Sequence, residues 1–298
     1  MPKILIKNGL NAGKAIVNSW APMFKAGLKL LVPCLIFFQL FVAPSSAADV
    51  SNESKLSIAT ASNFRPVLEQ LRAAFFQQIN NKEKNYQINI SSASSGVIYA
   101  QILQGAPFQL FFSANTSFPE KLVASGHGMA DTLVTYAIGK LVLVSRNKNN
   151  GSGSESPAEI LFKAKRIAIA NPRTAPYGIA AMEVIGSLGI ADESKPRLVV
   201  GNNIAQAWQF FHSGNADVAI VAVSLMSSPG QAEFKQEGIS AIDLSPYLKH
   251  PVRQSLVATK PVGQLAQQFL GFMKTPTAKK IIVDGGYLLS PSDDYLTQ

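Results

Sequence analysis

The stretch Leu56-Ser57-Ile58-Ala59-Thr60-Ala61-Ser62-Asn63-Phe64 reads as a buried strand that stops at two small polar residues. The continuation, Arg65-Pro66-Val67-Leu68-Glu69-Gln70-Leu71, reads as a helix. Ser62 and Asn63 are good residues for its N-cap, because their side-chain oxygens can accept from free N–H groups of a first turn. Pro66 falls early in that helix, where a missing N–H does little harm. A helix that starts directly after a strand points free donors and a positive partial charge beyond the strand end. One such junction is ordinary structure. Its meaning depends on how many others share its character.

Working outward, the pattern recurs. Tyr86 to Ile90 alternates as a strand and leads through Ser91-Ser92-Ala93-Ser94-Ser95-Gly96 into a helix over Val97 to Leu103. Leu110 to Ser113 is a third short strand, with a helix around Pro119 to Ala124. Tyr136 to Val144 reads as one longer strand, and Arg146 to Pro157, rich in Asn, Gly and Ser, as a mobile surface loop. The order then restarts. A strand over Arg166 to Ala170 leads through Asn171-Pro172-Arg173-Thr174-Ala175-Pro176-Tyr177-Gly178 into a helix over Ile179 to Leu188. Leu198 to Val200 leads through Gly201-Asn202-Asn203-Ile204 into a helix over Ala205 to Phe211. Asp217 to Val223 is apolar and of the doubly buried type. Pro251 to Thr259 is an alternating strand, and helices around 263–273 and 276–283 follow. Repeated β-α-β order with short connections predicts an α/β fold of two lobes, each a mixed, mainly parallel sheet flanked by helices. The expected division is 49–136 plus 252–298 for lobe one and 137–251 for lobe two.

The first 48 residues stand apart. They hold Lys3, Lys7, Lys14, Lys25 and Lys29 and no acidic residue, then the apolar run Leu30 to Val42 and the small-residue segment Ala43-Pro44-Ser45-Ser46-Ala47-Ala48. This is the build of a cleavable signal peptide, expected to end after Ala47 or Ala48, and the run is too short to span a bilayer comfortably. Met23 heads a leader of more usual length, which leaves residues 1–22 as an upstream extension or a misassigned start. Without residues 1–48 the basic count falls from 27 to 22 against 18 acidic residues, so the formal charge falls from +9 to +4. The basic balance is thus largely the leader's, and nucleic acid is not an expected partner. The single cysteine, Cys34, lies in the leader too. A cysteine-free mature chain suits an oxidising compartment without offering a disulfide.

Four junctions share one character: Ser62-Asn63, Ser95-Gly96, Pro176-Tyr177-Gly178 and Asn203-Ile204. Each presents small or hydroxylated residues and backbone N–H groups at a helix start, two in each lobe. Open α/β sheets bind ligands outside the carboxyl ends of their strands. Two lobes facing each other there would surround a compact anion with hydroxyls and amides. Small residues at such turns also occur for structural reasons, so both readings stand at this point.

Five stretches together carry a resemblance: Ala59-Thr60-Ala61-Ser62-Asn63-Phe64, Ser92-Ala93-Ser94-Ser95-Gly96, Gln104-Gly105-Ala106-Pro107-Phe108, Phe111-Phe112-Ser113-Ala114 and Asn171 to Gly178. In this order and spacing the chain resembles the periplasmic molybdate/tungstate-binding proteins of ABC importers, the ModA family. The resemblance implies a two-lobed periplasmic binding protein (type II) joined by two crossing strands, for which the segments near 136–144 and 252–259 are suited. It implies molybdate or tungstate as ligand, bound by Ser62, Asn63, Ser95, Tyr177 and Ile204. Asn63 and Tyr177 could act through side chain or backbone. Some family members use a Tyr from the last buried strand of lobe two; Ala222 stands there in this chain. The partner implied is the permease of an ABC importer, reached from the periplasm by a monomer that neither inserts in the membrane nor carries a cofactor.

Two other classes are weighed against this. A hydrolase is disfavoured by the absence of a G-x-S-x-G elbow, and metal or nucleotide chemistry by the absence of H-E-x-x-H, Cys-cluster, G-x-G-x-x-G and Walker patterns. His127, His212 and His250 lie far apart and are expected in solvated or structural roles. A binding protein for sulfate, phosphate or a small organic anion would keep the fold, although an organic ligand usually needs an aromatic wall and a charged clamp. Phe75-Phe76, Phe111-Phe112 and Phe210-Phe211 are expected in the core, as is Trp208.

Overall fold

The computed structural model describes residues 54–80, 85–146, 155–226, 238–259 and 262–290. The leader and most of the Asn/Gly/Ser-rich loop lie outside the described residues. The strands are β1 (Lys55–Ala61), β2 (Gln87–Ala93), β3 (Leu110–Phe112), β4 (Val134–Gly139), β5 (Leu141–Arg146), β6 (Ile167–Ala170), β7 (Leu198–Gly201), β8 (Val218–Ala222), β9 (Ile239–Asp243) and β10 (Val252–Ala258). They form two five-stranded sheets, in the orders β2-β1-β3-β10-β4 and β7-β6-β8-β5-β9.

The two sheets follow one plan. Three parallel strands (β2, β1, β3 in one; β7, β6, β8 in the other) are followed by an antiparallel strand and then an edge strand. The antiparallel place is filled in each case by a strand arriving from the other sheet: β4 of the first sheet runs into β5 of the second, and β9 of the second leads to β10 of the first. The chain therefore crosses between lobes twice. The stretch Tyr136 to Val144, expected as one strand, is divided at Lys140. Its first part pairs with β10 as far as Gly139, and its second pairs with β8 from Leu141.

Helices cover the sheets: α1 (Arg65–Gln78), α2 (Ser95–Leu103), α3 (Ser117–Ala124), α4 (Pro157–Lys163), α5 (Pro176–Ser187), α6 (Ile204–His212), α7 (Gln264–Met273) and α8 (Pro276–Asp284). Helix α1 buries Val67, Leu68, Leu71 and Phe75 at helical spacing. Phe75 meets Phe269 and Phe272 of α7 with ring centroids 5.2 and 5.5 Å away, so the C-terminal helices close the first lobe's core. Phe111, Phe112 and Phe211 are fully buried and Trp208 nearly so, as packing residues should be. Two elements were not foreseen. Strand β9 is short and only half-buried, so its alternation is weak. Helix α4 begins with a capping box in which the Ser156 hydroxyl accepts from the Glu159 amide while the Glu159 carboxylate accepts from the Ser156 amide. No helix among the described residues is long and apolar enough to cross a membrane.

Candidate functional site

The four junctions converge. Ser62, Asn63, Ser94, Ser95, Tyr177 and Ile204, with Ala61, Ala114, Ala175 and Pro176, line one small cavity between the two sheets, of about 10 Å³. Drug-sized ligand sites usually enclose ~300–1,000 Å³, so this space excludes a ligand of that size. A larger cavity of about 230 Å³ lies against α3, β4 and β10, away from the junctions, and includes both Glu120 and Arg253. Its carboxylate makes it a poor place for an anion. The junction cavity has no charged residue in its lining, so its electrostatics come from helix starts and hydroxyl dipoles.

The local structure explains why donors point inward. Parallel pairing of β1 with β2 runs to Ala61 opposite Ala93, which brings Ser62 and Ser94 side by side at the strand ends. This pairing also extends β2 through Ser91-Ser92-Ala93, where a turn was expected. The Ser62 amide donates to the Ala93 carbonyl at 3.1 Å, leaving its hydroxyl for the cavity. Neither Ser62 nor Asn63 caps α1, contrary to the sequence expectation. The N-cap is Phe64, without a side-chain cap bond, because its fully buried ring packs on Phe112, Tyr136 and Tyr287 and fixes the helix entry one residue later.

Helix α2 starts at Ser95 and helix α5 at Pro176, and neither has a side-chain cap. First-turn amides are therefore left to backbone acceptors or to a ligand. The amides of Asn63, Tyr177 and Ile204 have no acceptor among the described residues. The Ser95 hydroxyl oxygen accepts from the Ala114 amide at 2.9 Å, which orients its proton elsewhere. At α6 the Asn203 side chain caps the Gln206 amide at 3.0 Å and leaves Ile204 uncapped. Ser94 was not singled out from sequence. Its hydroxyl is buried without a partner among the described residues and lines the cavity; the signal available was its place in the serine run before Gly96.

Bonds span the two lobes around this cavity. The Gly96 amide donates to the Thr174 carbonyl at 2.8 Å, the Ala205 amide approaches the Ser62 hydroxyl at 3.5 Å, and the Ser224 hydroxyl donates to the Asn63 carbonyl at 3.1 Å.

The side chains of Asn63 and Tyr177 are committed within the protein. Asn63 Nδ2 donates to Gln254 Oε1 at 2.9 Å and to the Tyr287 hydroxyl at 2.8 Å, while its Oδ1 is buried without a partner among the described residues. The Tyr177 hydroxyl accepts from Gln254 Nε2 at 3.0 Å. Burial, reinforced by the nearby Tyr287 hydroxyl, pushes the Tyr177 phenol well above its usual range, against the opposing bond from Gln254. Burial likewise raises Tyr287, against its bonds with Ser224 and Asn63. Both phenols are therefore neutral at physiological pH and add no negative charge beside the cavity.

No group of three or more His, Cys, Asp or Glu able to hold a metal ion occurs among the described residues. His127 pairs with the Ser125 hydroxyl at 3.1 Å on the surface, and neither it, His212 nor His250 lines the cavity.

Comparison with known proteins agrees with the architecture. Residues 56–288 match the family model of bacterial extracellular solute-binding proteins. The molybdate-binding protein ModA of Rhodobacter capsulatus is 35% identical over 232 residues, covering 77% of this chain and 86% of that protein. ModA of Azotobacter vinelandii is 35% identical over 243 residues, covering 80% and 92%. The solved structure of the Azotobacter vinelandii periplasmic molybdate-binding protein superposes with a TM-score of 0.69 at 36% identity, covering 79% of this chain and 99% of that one.

Proposed function

This chain belongs to the bacterial extracellular solute-binding proteins, and we propose that it captures molybdate, or tungstate, in the cavity between its lobes and delivers it to the permease of an ABC importer. The observation that carries this reading is the convergence, around one compact cavity without a charged residue, of Ser62, Ser94 and Ser95 with the amides of Asn63, Tyr177 and Ile204, which have no acceptor among the described residues. The kinship with proteins named for molybdate binding supports the choice among oxyanions.

In this reading Ser62, Ser94 and Ser95 donate through hydroxyls, and Asn63, Tyr177 and Ile204 through backbone amides. Each bond to the charged ligand contributes about 1.5–3 kcal/mol net. Several of them support a dissociation constant of roughly nM to µM. Hinge motion at the two crossings lets the lobes close over the ion. The protein works in the periplasm, after loss of residues 1–48, as a monomer without cofactor and without chemistry on its ligand. With β4 and β10 both in the first sheet, lobe one comprises 49–139 plus 252–298 and lobe two 140–251, three residues beyond the boundary expected from sequence.

Selection is partly geometric, since a ring of donors cannot shrink onto a smaller sulfate without lengthening its bonds. One observation favours a second reading, a protonated oxyanion such as hydrogen phosphate: the buried Asn63 Oδ1 is an acceptor without a donor among the described residues. Calorimetric titration of the mature chain with molybdate, tungstate, sulfate and phosphate separates the readings. Molybdate and tungstate are expected to bind at least 100-fold more tightly than the others (roughly 3 kcal/mol), and a thermal shift of matching order should accompany them. Preference for phosphate would select the second reading. Equal affinity for sulfate would overturn the geometric selection.

A further inference from the structure

Gln254 contributes no atom to the cavity lining, yet it touches two of the residues that do. It is fully buried on β10, where the register against β4 shifts between Gln254 and Ser255. That strand begins just after the second crossing between lobes. The irregularity turns the Gln254 amide inward, and every bonding direction it has been shown to use is filled from a different segment. Oε1 accepts from Asn63 Nδ2 at 2.9 Å and from the Tyr136 hydroxyl at 3.0 Å, and Nε2 donates to the Tyr177 hydroxyl at 3.0 Å. Asn63 and Tyr136 belong to the first sheet's side, whereas Tyr177 belongs to α5 on the second.

The surroundings are shaped for this contact. A Cβ on Gly139, the last residue of β4 before the first crossing, would collide with the Tyr177 hydroxyl and with Gln254 Nε2. Glycine at that place lets the phenol of lobe two reach the amide of lobe one. Asn63 is held from three sides: its side chain by Gln254 and Tyr287, and its carbonyl by Tyr287 and Ser224 at 3.0 and 3.1 Å. A residue pinned at side chain and carbonyl has little freedom to turn its amide, which is the group it presents to the cavity.

We propose that Gln254 is a positioning residue for anion capture, a buried tie that bonds one site turn of each lobe and holds the Asn63 and Tyr177 amides aimed at a single ligand. The inference rests on the anion-capture reading above and names how the closed cleft is held. Opening the lobes must break the Gln254–Tyr177 bond, whereas the Gln254–Asn63 bond stays within one lobe. The tie therefore acts on ligand retention.

A double-mutant cycle with Gln254→Leu and Tyr177→Phe, read by calorimetric titration with molybdate, tests it. Tyr177→Phe removes only the phenol oxygen and leaves the backbone amide in place. Each single variant is expected to bind about tenfold more weakly, and the double variant no more weakly than the worse single, since both remove the same bond. Effects that multiply would overturn the tie. A wild-type chain that binds none of the four oxyanions would instead overturn the site reading itself. Melting of the ligand-free variants separates a merely structural role, which lowers stability while the affinity effects stay additive. Where Gln254→Leu does not fold, Gly139→Ala carries the test: its Cβ collides with both ends of the Gln254–Tyr177 bond and should weaken binding, and Tyr177→Phe added to it should cost little more, since the bond is already lost. A full further tenfold loss would overturn the tie.

Discussion

The two halves of the cavity wall are built from different materials. In the proposed site the first lobe brings hydroxyls, from Ser62, Ser94 and Ser95, with one amide at Asn63, and the second brings the backbone amides of Tyr177 and Ile204. The difference lies in what mutation can reach. A hydroxyl disappears with one substitution, while an amide survives every substitution except proline. The first half is thus open to change by side-chain replacement, and the second is fixed by where two helices begin.

The largest effect should come from the hydroxyl half. Ser62→Ala with Ser95→Ala removes two bonds to the ion, a loss of about 3–6 kcal/mol or roughly 10²–10⁴-fold in affinity. Ser95→Ala also strips the Ala114 amide of its acceptor, so the melting temperature must be followed beside the titration. Next comes the backbone half. Ile204→Pro deletes one donor at the first position of α6, where proline is tolerated and where Asn203 already has the extended φ of −150° that a following proline favours. About 1.5–3 kcal/mol of binding should go, while Ile204→Val, which keeps the amide, should change affinity less than about threefold. If valine and proline weaken binding equally, the side chain rather than the amide is what the second half contributes, and the contrast between the halves fails.

Gly178→Ala sits behind the same wall. Its Cβ would collide with the Ala170 carbonyl, so a loss of stability of about 1–3 kcal/mol is expected in denaturant melts, with a smaller effect on the first lobe's donors. The last effect to emerge, and one without consequence at neutral pH, is ionisation of the phenols. Tyr177 is raised in the folded state, so its contribution to stability is complete below the unfolded phenol value near 10 and is lost as pH climbs above it. Stability measured between pH 9 and 11 should fall less in Tyr177→Phe than in wild type, and binding between pH 6 and 8 should not change with pH through ionisation of either phenol.

Much of this was legible in sequence because it is local. Strand ends marked by Ser62 and Ser95, and helix starts marked by Pro176 and Asn203, depend on neighbours within a few residues. That the Asn63 and Tyr177 side chains are committed within the protein was not legible, because their partners Gln254 and Tyr287 lie 191 and 224 residues from Asn63 and carry no motif of their own. The division of β4 from β5 was hidden for a related reason: Tyr136 to Val144 is uniformly strand-forming, and only its partners, β10 on one side and β8 on the other, decide where one sheet ends. Helix α4 is a different lesson, since the Ser156-to-Glu159 capping spacing was present and readable.

The strand exchange between the sheets also sets an order of assembly. In the first sheet β10 lies between β3 and β4, so those two strands have no common neighbour until residues 252–258 have been made. The second sheet draws on one unbroken span, from β5 to β9. A ribosome supplies about 5–20 residues per second, so the second sheet has all its strands before the first sheet can join its own. The lobe that opens the polypeptide is the one completed last.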